Sequence, residues 1–274
     1  MSEAEVGALE PLEPLPLREP LEEVHEGLVA VTELLDRHGI WYALGFGTLL
    51  GAVRDGDLIP WDHDFDLFAR PRDRQRIVEL SEELEPLGYA IKYAVLPADE
   101  NLALAPDDLV SFNAAALVVL KDDKPLGDIY TPWLFEDGIL RHFDLEREVW
   151  WCPRNSFPAW FVEERDPRRD VARIRGREYP TLRYAEQWLA HVYGDDFRVP
   201  WRCTQKGGEA RDGFTAVGDR AAPDLGELVA WCERQGWDRA EYAGLPAWPR
   251  TVRGLGPPAD LEQHGSVEAL VRSY

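Results

Sequence analysis

GFGTLLGAVR at residues 45–54 and IPWDHDFDL at residues 59–67 are the two most informative stretches of this 274-residue chain. The first follows a short β-branched and aromatic segment at residues 40–44, and its Gly-Thr step is typical of a strand that turns into a short helix. In the second, acidic and apolar residues alternate from Asp64 onward with the period of two that indicates a strand. We therefore expect a strand, a short helix and a second strand in close succession.

Helix and strand patterns continue on both sides of these two stretches. Apolar residues recur at helical spacing from Leu21 to Asp36. The other predicted helices lie at residues 73–84, 184–192 and 223–236. The other predicted strands lie at residues 89–95, 114–120 and 127–133. This order of elements favours an α+β fold in which a mixed β-sheet is flanked by helices.

The chain is predicted to consist of three parts. Residues 1–19 are acidic and proline-rich, which is typical of a flexible lead-in. Residues 20–200 hold most of the helix and strand patterns and are predicted to form the main domain. Residues 201–274 are interpreted as a C-terminal extension whose role the sequence leaves open.

The charge balance limits the partners of the protein. The chain carries 30 Lys and Arg against 51 Asp and Glu, which gives a net charge of −21. Such a field repels the phosphates of nucleic acids and anionic lipids, so we expect no nucleic-acid partner. The longest uncharged apolar run, residues 40–53, is shorter than the about 20 residues that span a bilayer, so we expect no membrane span. Three widely spaced cysteines and the lack of a signal peptide favour the cytoplasm, and the oligomeric state stays open.

Three carboxylates stand two residues apart at Asp62, Asp64 and Asp66. In an extended segment, alternate side chains share one face, so the three groups would converge. Carboxylates that converge repel one another unless a cation neutralises them, and hard oxygen ligands suit Mg²⁺ or Mn²⁺ better than zinc. The alternative is a solvated acidic edge in an acidic protein.

Two other motifs resemble this region only in part. An EF-hand loop that began at Asp62 would need Gly and Glu at its sixth and twelfth positions, where Leu67 and Asp73 stand. The glycines at 45, 47 and 51 have the spacing of a dinucleotide-binding turn with one residue too many. Neither motif is therefore predicted.

The Gly47-Thr48 step is a candidate phosphate site. A turn that opens a helix presents backbone N–H groups and the positive end of the helix dipole to an anion. Gly47 permits close approach of the backbone, and Thr48 could cap the helix or donate its hydroxyl to a phosphate oxygen. An ordinary N-cap is the alternative. Together with the carboxylates that follow, the step predicts a site for a metal-bridged nucleotide phosphate.

Three blocks of the sequence resemble one known family. GTLLGAVR at residues 47–54, followed by IPWDHDFD at residues 59–66, is similar to the motif of the LicD/fukutin-related phosphotransferases, which belong to the nucleotidyltransferase superfamily. Residues 127–130, GDIY, resemble the family's Asp-Ile-Phe segment, and residues 176–197 resemble its closing segment. The resemblance covers roughly residues 21–200 and implies a nucleotidyltransferase-like catalytic domain there.

The resemblance also implies a set of metal ligands. Asp64 and Asp66 would bind the metal ion, Mg²⁺ or Mn²⁺. Asp128 would be a third ligand or the base toward the acceptor hydroxyl, and Asp62 a further ligand or a close neighbour of the ligands. His63 stands where many members of the family have another Asp, and we expect its side chain to point away from the metal.

Four residues are implied to bind substrate. Gly47 and Thr48 would hold the donor phosphate. Arg54 would neutralise it or orient a carboxylate, with a surface salt bridge as the alternative. Trp61 would stack on a base or sugar, although a buried core position is at least as compatible with the sequence.

The implied reaction moves a phospho-alcohol group, such as phosphocholine or a polyol phosphate, from a CDP-linked donor to a hydroxyl of a glycan or small-molecule acceptor. Two alternatives stay open. The same carboxylates could transfer a nucleoside monophosphate, or the chain could be an inactive module that binds metal or nucleotide. The net charge disfavours a polyanionic polymer as acceptor, so a neutral glycan or small molecule is preferred.

Overall fold

A five-stranded sheet with helices packed against it forms the centre of the fold, as given by a computed structural model. The structure describes residues 9–11, 20–60, 62–70, 73–93, 116–134, 138–141, 156–163, 170–199, 201–203 and 225–238. The helices are α1 (Pro20–Arg37), α2 (Phe46–Arg54), α3 (Arg74–Leu80), α4 (Trp160–Glu163), α5 (Ala185–Tyr193) and α6 (Leu225–Arg234). The strands are β1 (Leu9–Pro11), β2 (Tyr42–Leu44), β3 (Phe65–Ala69), β4 (Tyr89–Tyr93), β5 (Ala116–Lys121), β6 (Lys124–Tyr130), β7 (Trp133–Leu134), β8 (Ile139–Arg141), β9 (Phe157–Pro158), β10 (Val171–Ile174), β11 (Arg177–Pro180) and β12 (Trp201–Cys203).

The central sheet is mixed. Its strand order is β2-β3-β6-β5-β4, in which β3 and β6 run parallel and the other neighbours run antiparallel. Smaller sheets pair β1 with β12, β10 with β11, and β8 with both β7 and β9. Helix α1 contacts β3 and β6, and α2 contacts β3. The predicted α+β fold with a mixed sheet flanked by helices is confirmed.

Helix α1 follows directly from its apolar spacing. The helix predicted from Leu21 to Asp36 is observed as α1, one residue longer at each end. Val24, Leu28 and Val31 lie on one face of the helix and are at most 1% exposed. This face packs on the sheet through β3 and β6, because residues three to four apart share one side of a helix.

The helix predicted at residues 73–84 divides into two kinds of helix. Its α-helical part, α3, ends at Leu80, and a 3-10 helix follows over Ser81–Leu87. Pro86 lies inside the 3-10 helix, where its missing N–H does not permit an α-helical hydrogen bond. The segment ends at Gly88, whose φ of +80° is the left-handed conformation expected at this stop.

The strand predicted at residues 127–133 begins and ends earlier than expected. A tight turn at Asp122 and Asp123 joins β5 to β6, and both residues have positive φ values, +48° and +63°. Two successive positive φ values are typical of the two-residue hairpin turns whose twist matches that of the strands. Pairing with β5 therefore starts immediately after the turn, at Lys124, and β6 ends at Tyr130.

Gly51 lies where α2 meets the loop that leads to β3. A Cβ atom at this position would lie 2.6 Å from the carbonyl oxygen of Asp57 and 3.0 Å from the amide nitrogen of Ile59. Glycine to alanine changes inside helices usually stabilise, but these two backbone atoms cannot rotate away. We expect Gly51→Ala to lower the free energy of unfolding by about 1–3 kcal/mol through overpacking, as measured by urea denaturation. Unchanged or increased stability would contradict this close contact.

Trp188 anchors α5 to the centre of the fold. Its side chain is fully buried, and its ring centroid lies 5.4 Å from that of Phe46, 5.5 Å from that of Phe68 and 5.8 Å from that of Phe157. The rings meet edge to face, an arrangement that aromatic pairs favour. Trp188 is thus a core residue.

Helix α6 confirms the helix predicted at residues 223–236. It contacts β9, and its buried Leu228 and Cys232 belong to the same hydrophobic core as the central sheet. Most of residues 1–19 and 201–274 lie outside the described residues, so the division into three parts stays a prediction. Within the described ranges, no helix combines the length and apolar character needed to cross a membrane.

Candidate active site

Parallel pairing of β3 and β6 brings three carboxylates together. Asp66 and Asp128 are direct partners in the register of the two strands, so their side chains leave the sheet on the same side. Asp64 precedes Asp66 by two residues and reaches the same side. One oxygen from each of the three side chains lies within 4.8 Å of the other two. Of the three carboxylates predicted to converge, Asp64 and Asp66 meet here, and Asp128 joins them; their chemical roles stay predictions.

Asp62 and His63 reach the cluster from a turn. The strand begins only at Phe65, and the amide of Asp62 donates to the carbonyl oxygen of Ile59 at 2.9 Å. A ring nitrogen of His63 lies within 4.8 Å of carboxylate oxygens of Asp62 and Asp64. The expectation that His63 points away from the carboxylates is therefore wrong, because strand alternation does not apply to a turn.

The first residues of α2 contact Asp66. The N–H of Gly47 donates to Oδ2 of Asp66 at 3.1 Å, and the N–H of Gly45 donates to the Asp66 carbonyl oxygen at 2.9 Å. The amide of Asp66 in turn donates to the hydroxyl oxygen of Thr48 at 2.8 Å. Gly45 is the N-cap residue of α2, and Thr48 lies inside the helix, so the alternative in which Thr48 caps the helix does not hold.

Crowding of negative charge marks this site. Burial raises the pKa of the Asp66 carboxyl well above its usual range, and the charges of its carboxylate neighbours raise it further. The hydrogen bond from Gly47 opposes this shift. Burial and the charge of Asp64 raise the pKa of Asp128 to about 6. The ionised forms of these carboxyls are costly unless a cation neutralises them. Side chains with such pKa shifts are common at functional sites.

A cavity of about 270 Å³ lies against the carboxylates. Its lining includes Asp62, Asp64 and Asp66 together with Tyr130 and Tyr193. Neither tyrosine was predicted as a site residue. Tyr130 follows Asp128 by two residues and shares its side of β6, a spacing that could have identified it, whereas Tyr193 at the end of α5 is remote in sequence.

Arg54 and Trp61 are not placed at the carboxylates by the structure. Arg54 is the last residue of α2, about 12 Å along the helix from its first residue. Its guanidinium pairs with the Asp55 carboxylate at 2.7 Å, which favours the salt-bridge alternative, although the Arg54 side chain is only 5% exposed and the pair is not fully on the surface. Trp61 lies outside the described residues.

The donor set fits a divalent ion of the hard type. Asp64, Asp66 and Asp128 offer only oxygen ligands, and Asp62, His63 and Asp64 form a second candidate set that shares Asp64. Carboxylate oxygens suit Mg²⁺ and Mn²⁺. A bound cation would also remove the mutual repulsion that raises the pKa values of these acids.

Comparison with known proteins gives one family and several short similarities. Residues 39–95 match the model of the family described as LicD/FKTN/FKRP, nucleotidyltransferase domain. The uncharacterized protein RP689 of Rickettsia prowazekii is 26% identical over 148 residues, which are 54% of this chain and 50% of that protein. Lipopolysaccharide cholinephosphotransferase LicD of Haemophilus influenzae is 45% identical over 47 residues, 17% of this chain and 18% of that protein. Ribitol 5-phosphate transferase FKRP of Homo sapiens is 54% identical over 37 residues, 14% of this chain and 8% of that protein.

The matched segments are partial. The chain spans half the length of the Rickettsia prowazekii relative and a fifth or less of the two transferases. A solution structure of the antibiotic-resistance factor ANT(2'')-Ia aligns over 78% of this chain and 93% of that chain, with a TM-score of 0.39 and 15% identity. The family segment begins before β2 and ends just after β4, so it includes α2, Asp62, Asp64 and Asp66. The resemblance found in the sequence is thereby confirmed: residues 39–95 match the nucleotidyltransferase-domain model of the LicD/FKTN/FKRP family.

Proposed function

We propose that this protein is a metal-dependent transferase that moves a phospho-alcohol group, of the phosphocholine or polyol-phosphate type, from a CDP-linked donor to a hydroxyl of a glycan or small-molecule acceptor. The observation that carries the proposal is the meeting of Asp64, Asp66 and Asp128 beside the cavity. The names of two similar proteins, a cholinephosphotransferase and a ribitol 5-phosphate transferase, support this class of transferred group.

Asp64 and Asp66 are assigned as metal ligands, with Asp128 as a third ligand or as the base. Bound Mg²⁺ or Mn²⁺ would neutralise the donor phosphates and lower the pKa of an attacking hydroxyl. Asp62 lies close enough to Asp64 to serve as a further ligand. In the metal-free protein, burial and the charge of Asp64 raise the pKa of Asp128 to about 6, so this carboxyl is ionised at physiological pH and available as a ligand or a base.

The reaction would form one bond and break one. The acceptor oxygen attacks the phosphorus that carries the alcohol, and the bond from this phosphorus to CMP breaks, so that CMP leaves with the electron pair. With Asp128 in the role of base, the hydroxyl proton would pass to one of its carboxylate oxygens. Such a transfer depends mainly on position and charge, because the protein forms no covalent bond to the group.

The lining of the cavity constrains the substrates. Among the described lining residues there is no Lys or Arg, so the donor phosphates would be neutralised mainly through the ion held by the aspartates. An uncharged acceptor is compatible with the acidic lining, whereas a polyanion is not. Gly47, which lines the cavity, is assigned to close contact with the donor. Substrate-binding roles for Arg54 and Trp61 stay proposals. We also assign the catalytic domain to residues 20–200.

The test is product analysis by mass spectrometry. The protein is incubated with Mg²⁺, a pool of neutral glycans and one donor at a time, CDP-choline, a CDP-polyol, CTP or ATP. Prior thermal-shift screening selects the donor, because a ligand of the folded state raises the melting temperature. Release of CMP with a phospho-alcohol on the acceptor is the expected result. Release of pyrophosphate from CTP or ATP would instead support nucleotidyl transfer, and metal-independent binding without turnover would support an inactive module.

A further inference from the structure

Asp66 is held at three points by one short segment, residues 45–48. Its carbonyl oxygen accepts from the amide of Gly45, its carboxylate accepts from the amide of Gly47, and its own amide donates to Thr48. The three hydrogen bonds are 2.9, 3.1 and 2.8 Å long. Within the described part of the chain, Asp64 and Asp128, the other two members of the cluster, make no hydrogen bond to this segment, so Asp66 is the carboxylate that it orients.

Thr48 faces the strand and not the cavity. Its side chain is only 1% exposed, and the described lining of the cavity includes Gly47 but not Thr48. Its hydroxyl oxygen is already in contact with the Asp66 amide, a buried N–H that would otherwise lack this acceptor. A donor phosphate in the cavity would therefore meet the backbone of Gly47 before it met the Thr48 hydroxyl.

The lack of a side chain at Gly47 leaves room for the carboxylates of Asp62 and Asp66. A Cβ atom at this position would lie 2.5 Å from Oδ2 of Asp62 and 3.6 Å from Oδ2 of Asp66. Two carboxylates thus approach the Gly47 backbone on the side that a larger residue would occupy. The Gly-Thr step therefore receives carboxylates closely, and of its two residues only Gly47 also lines the cavity proposed for the donor.

We propose that Thr48 is a positioning residue, which fixes Asp66 where its carboxylate meets Asp64 and Asp128 by accepting the hydrogen of the Asp66 amide. The expected effect of Thr48 on metal binding does not depend on the function proposed above; only its effect on turnover rests on that function. Residues that orient metal ligands through hydrogen bonds typically change metal affinity by about 10–100-fold when they are replaced.

The test compares three variants in metal binding without nucleotide. Thr48→Val keeps the shape of the side chain and removes the acceptor, whereas Thr48→Ser keeps the hydroxyl. Thr32→Val is the matched control, because Thr32 is also fully buried and its hydroxyl donates to the Leu28 carbonyl at 2.7 Å within α1. Mn²⁺ affinity is measured by titration calorimetry, and exchange of the Asp66 amide hydrogen by NMR. Thr48→Ala replaces Thr48→Val if the latter does not fold.

Thr48→Val is expected to weaken Mn²⁺ binding by about tenfold or more and to speed exchange of the Asp66 amide. Thr48→Ser should restore both properties, and Thr32→Val should leave Mn²⁺ affinity unchanged even if it lowers the melting temperature. Wild-type Mn²⁺ affinity in Thr48→Val, together with weakened binding of CDP-choline or CTP, would overturn the proposal and return Thr48 to the donor phosphate. Failure of the proposed function looks different, since the wild type would then bind Mn²⁺ and turn over no donor.

Discussion

Replacement of Asp66 by asparagine is expected to lower turnover by about 10³-fold while the protein stays folded. Asparagine keeps the shape of the side chain and an oxygen that can accept the hydrogen bond from Gly47, but it removes the charge that would hold a cation. Loss of about 4 kcal/mol of metal-dependent stabilisation corresponds to this factor at 1.36 kcal/mol per tenfold. Asp64→Asn is expected to behave in the same way. Initial rates with the donor identified above provide the measurement.

Asp123→Asn is the matched control for these two variants. Asp123 lies in the turn between β5 and β6, where its side chain is 93% exposed. Its replacement therefore removes one negative charge, as Asp64→Asn and Asp66→Asn do, but from an exposed position. Its rate should equal that of the wild type. Circular dichroism and the unfolding transition should show folded protein for every variant. Retention of most of the Mg²⁺-dependent rate by both Asp64→Asn and Asp66→Asn would contradict the assignment of these residues as ligands.

The part of the site that could be predicted is the part that depends on local spacing. Asp64 and Asp66 are two residues apart, and the beginning of a strand is enough to bring their side chains to one side. The helix α1 was predictable for the same reason, since its buried face follows from a period of 3.6 residues. Asp128 entered the predicted set of metal ligands only because residues 127–130 resemble a segment of the family.

The part that could not be predicted depends on contacts between distant residues. The parallel pairing that sets Asp66 opposite Asp128 joins strands separated by α3, β4 and β5, and spacing does not reveal which strands become neighbours. The same limit applies to Thr48, because a hydroxyl at the start of a helix could have capped the helix, met a phosphate or accepted from a strand. His63 was predicted on the wrong side because the strand starts two residues after it.

The second large effect concerns Asp128 and the pH dependence of stability without metal. Its pKa of about 6 lies above the usual 3.8, because of burial and the charge of Asp64. Below about pH 4 the carboxyl is protonated in the folded and in the unfolded chain, so it does not oppose folding. Between about pH 4 and 6 the Asp128 carboxyl is ionised in the unfolded chain but still protonated in the folded chain. The contribution of Asp128 to the free energy of unfolding therefore falls as pH rises. Above about pH 6 the full cost, about 3 kcal/mol at 1.36 kcal/mol per pKa unit, is present.

Asp128→Asn is therefore expected to stabilise the metal-free protein at about pH 7.5 and to leave its stability unchanged near pH 4. In EDTA the melting temperature should rise by roughly 5–10 °C at the higher pH, while Asp123→Asn should show no such rise. With Mn²⁺ the order should reverse, because the wild type is stabilised by an ion that the variant binds weakly. A lower melting temperature of Asp128→Asn in EDTA at the higher pH would show that this carboxylate stabilises the fold by itself. The expected reversal would instead mean that its charge destabilises the metal-free fold and is retained for the bound cation.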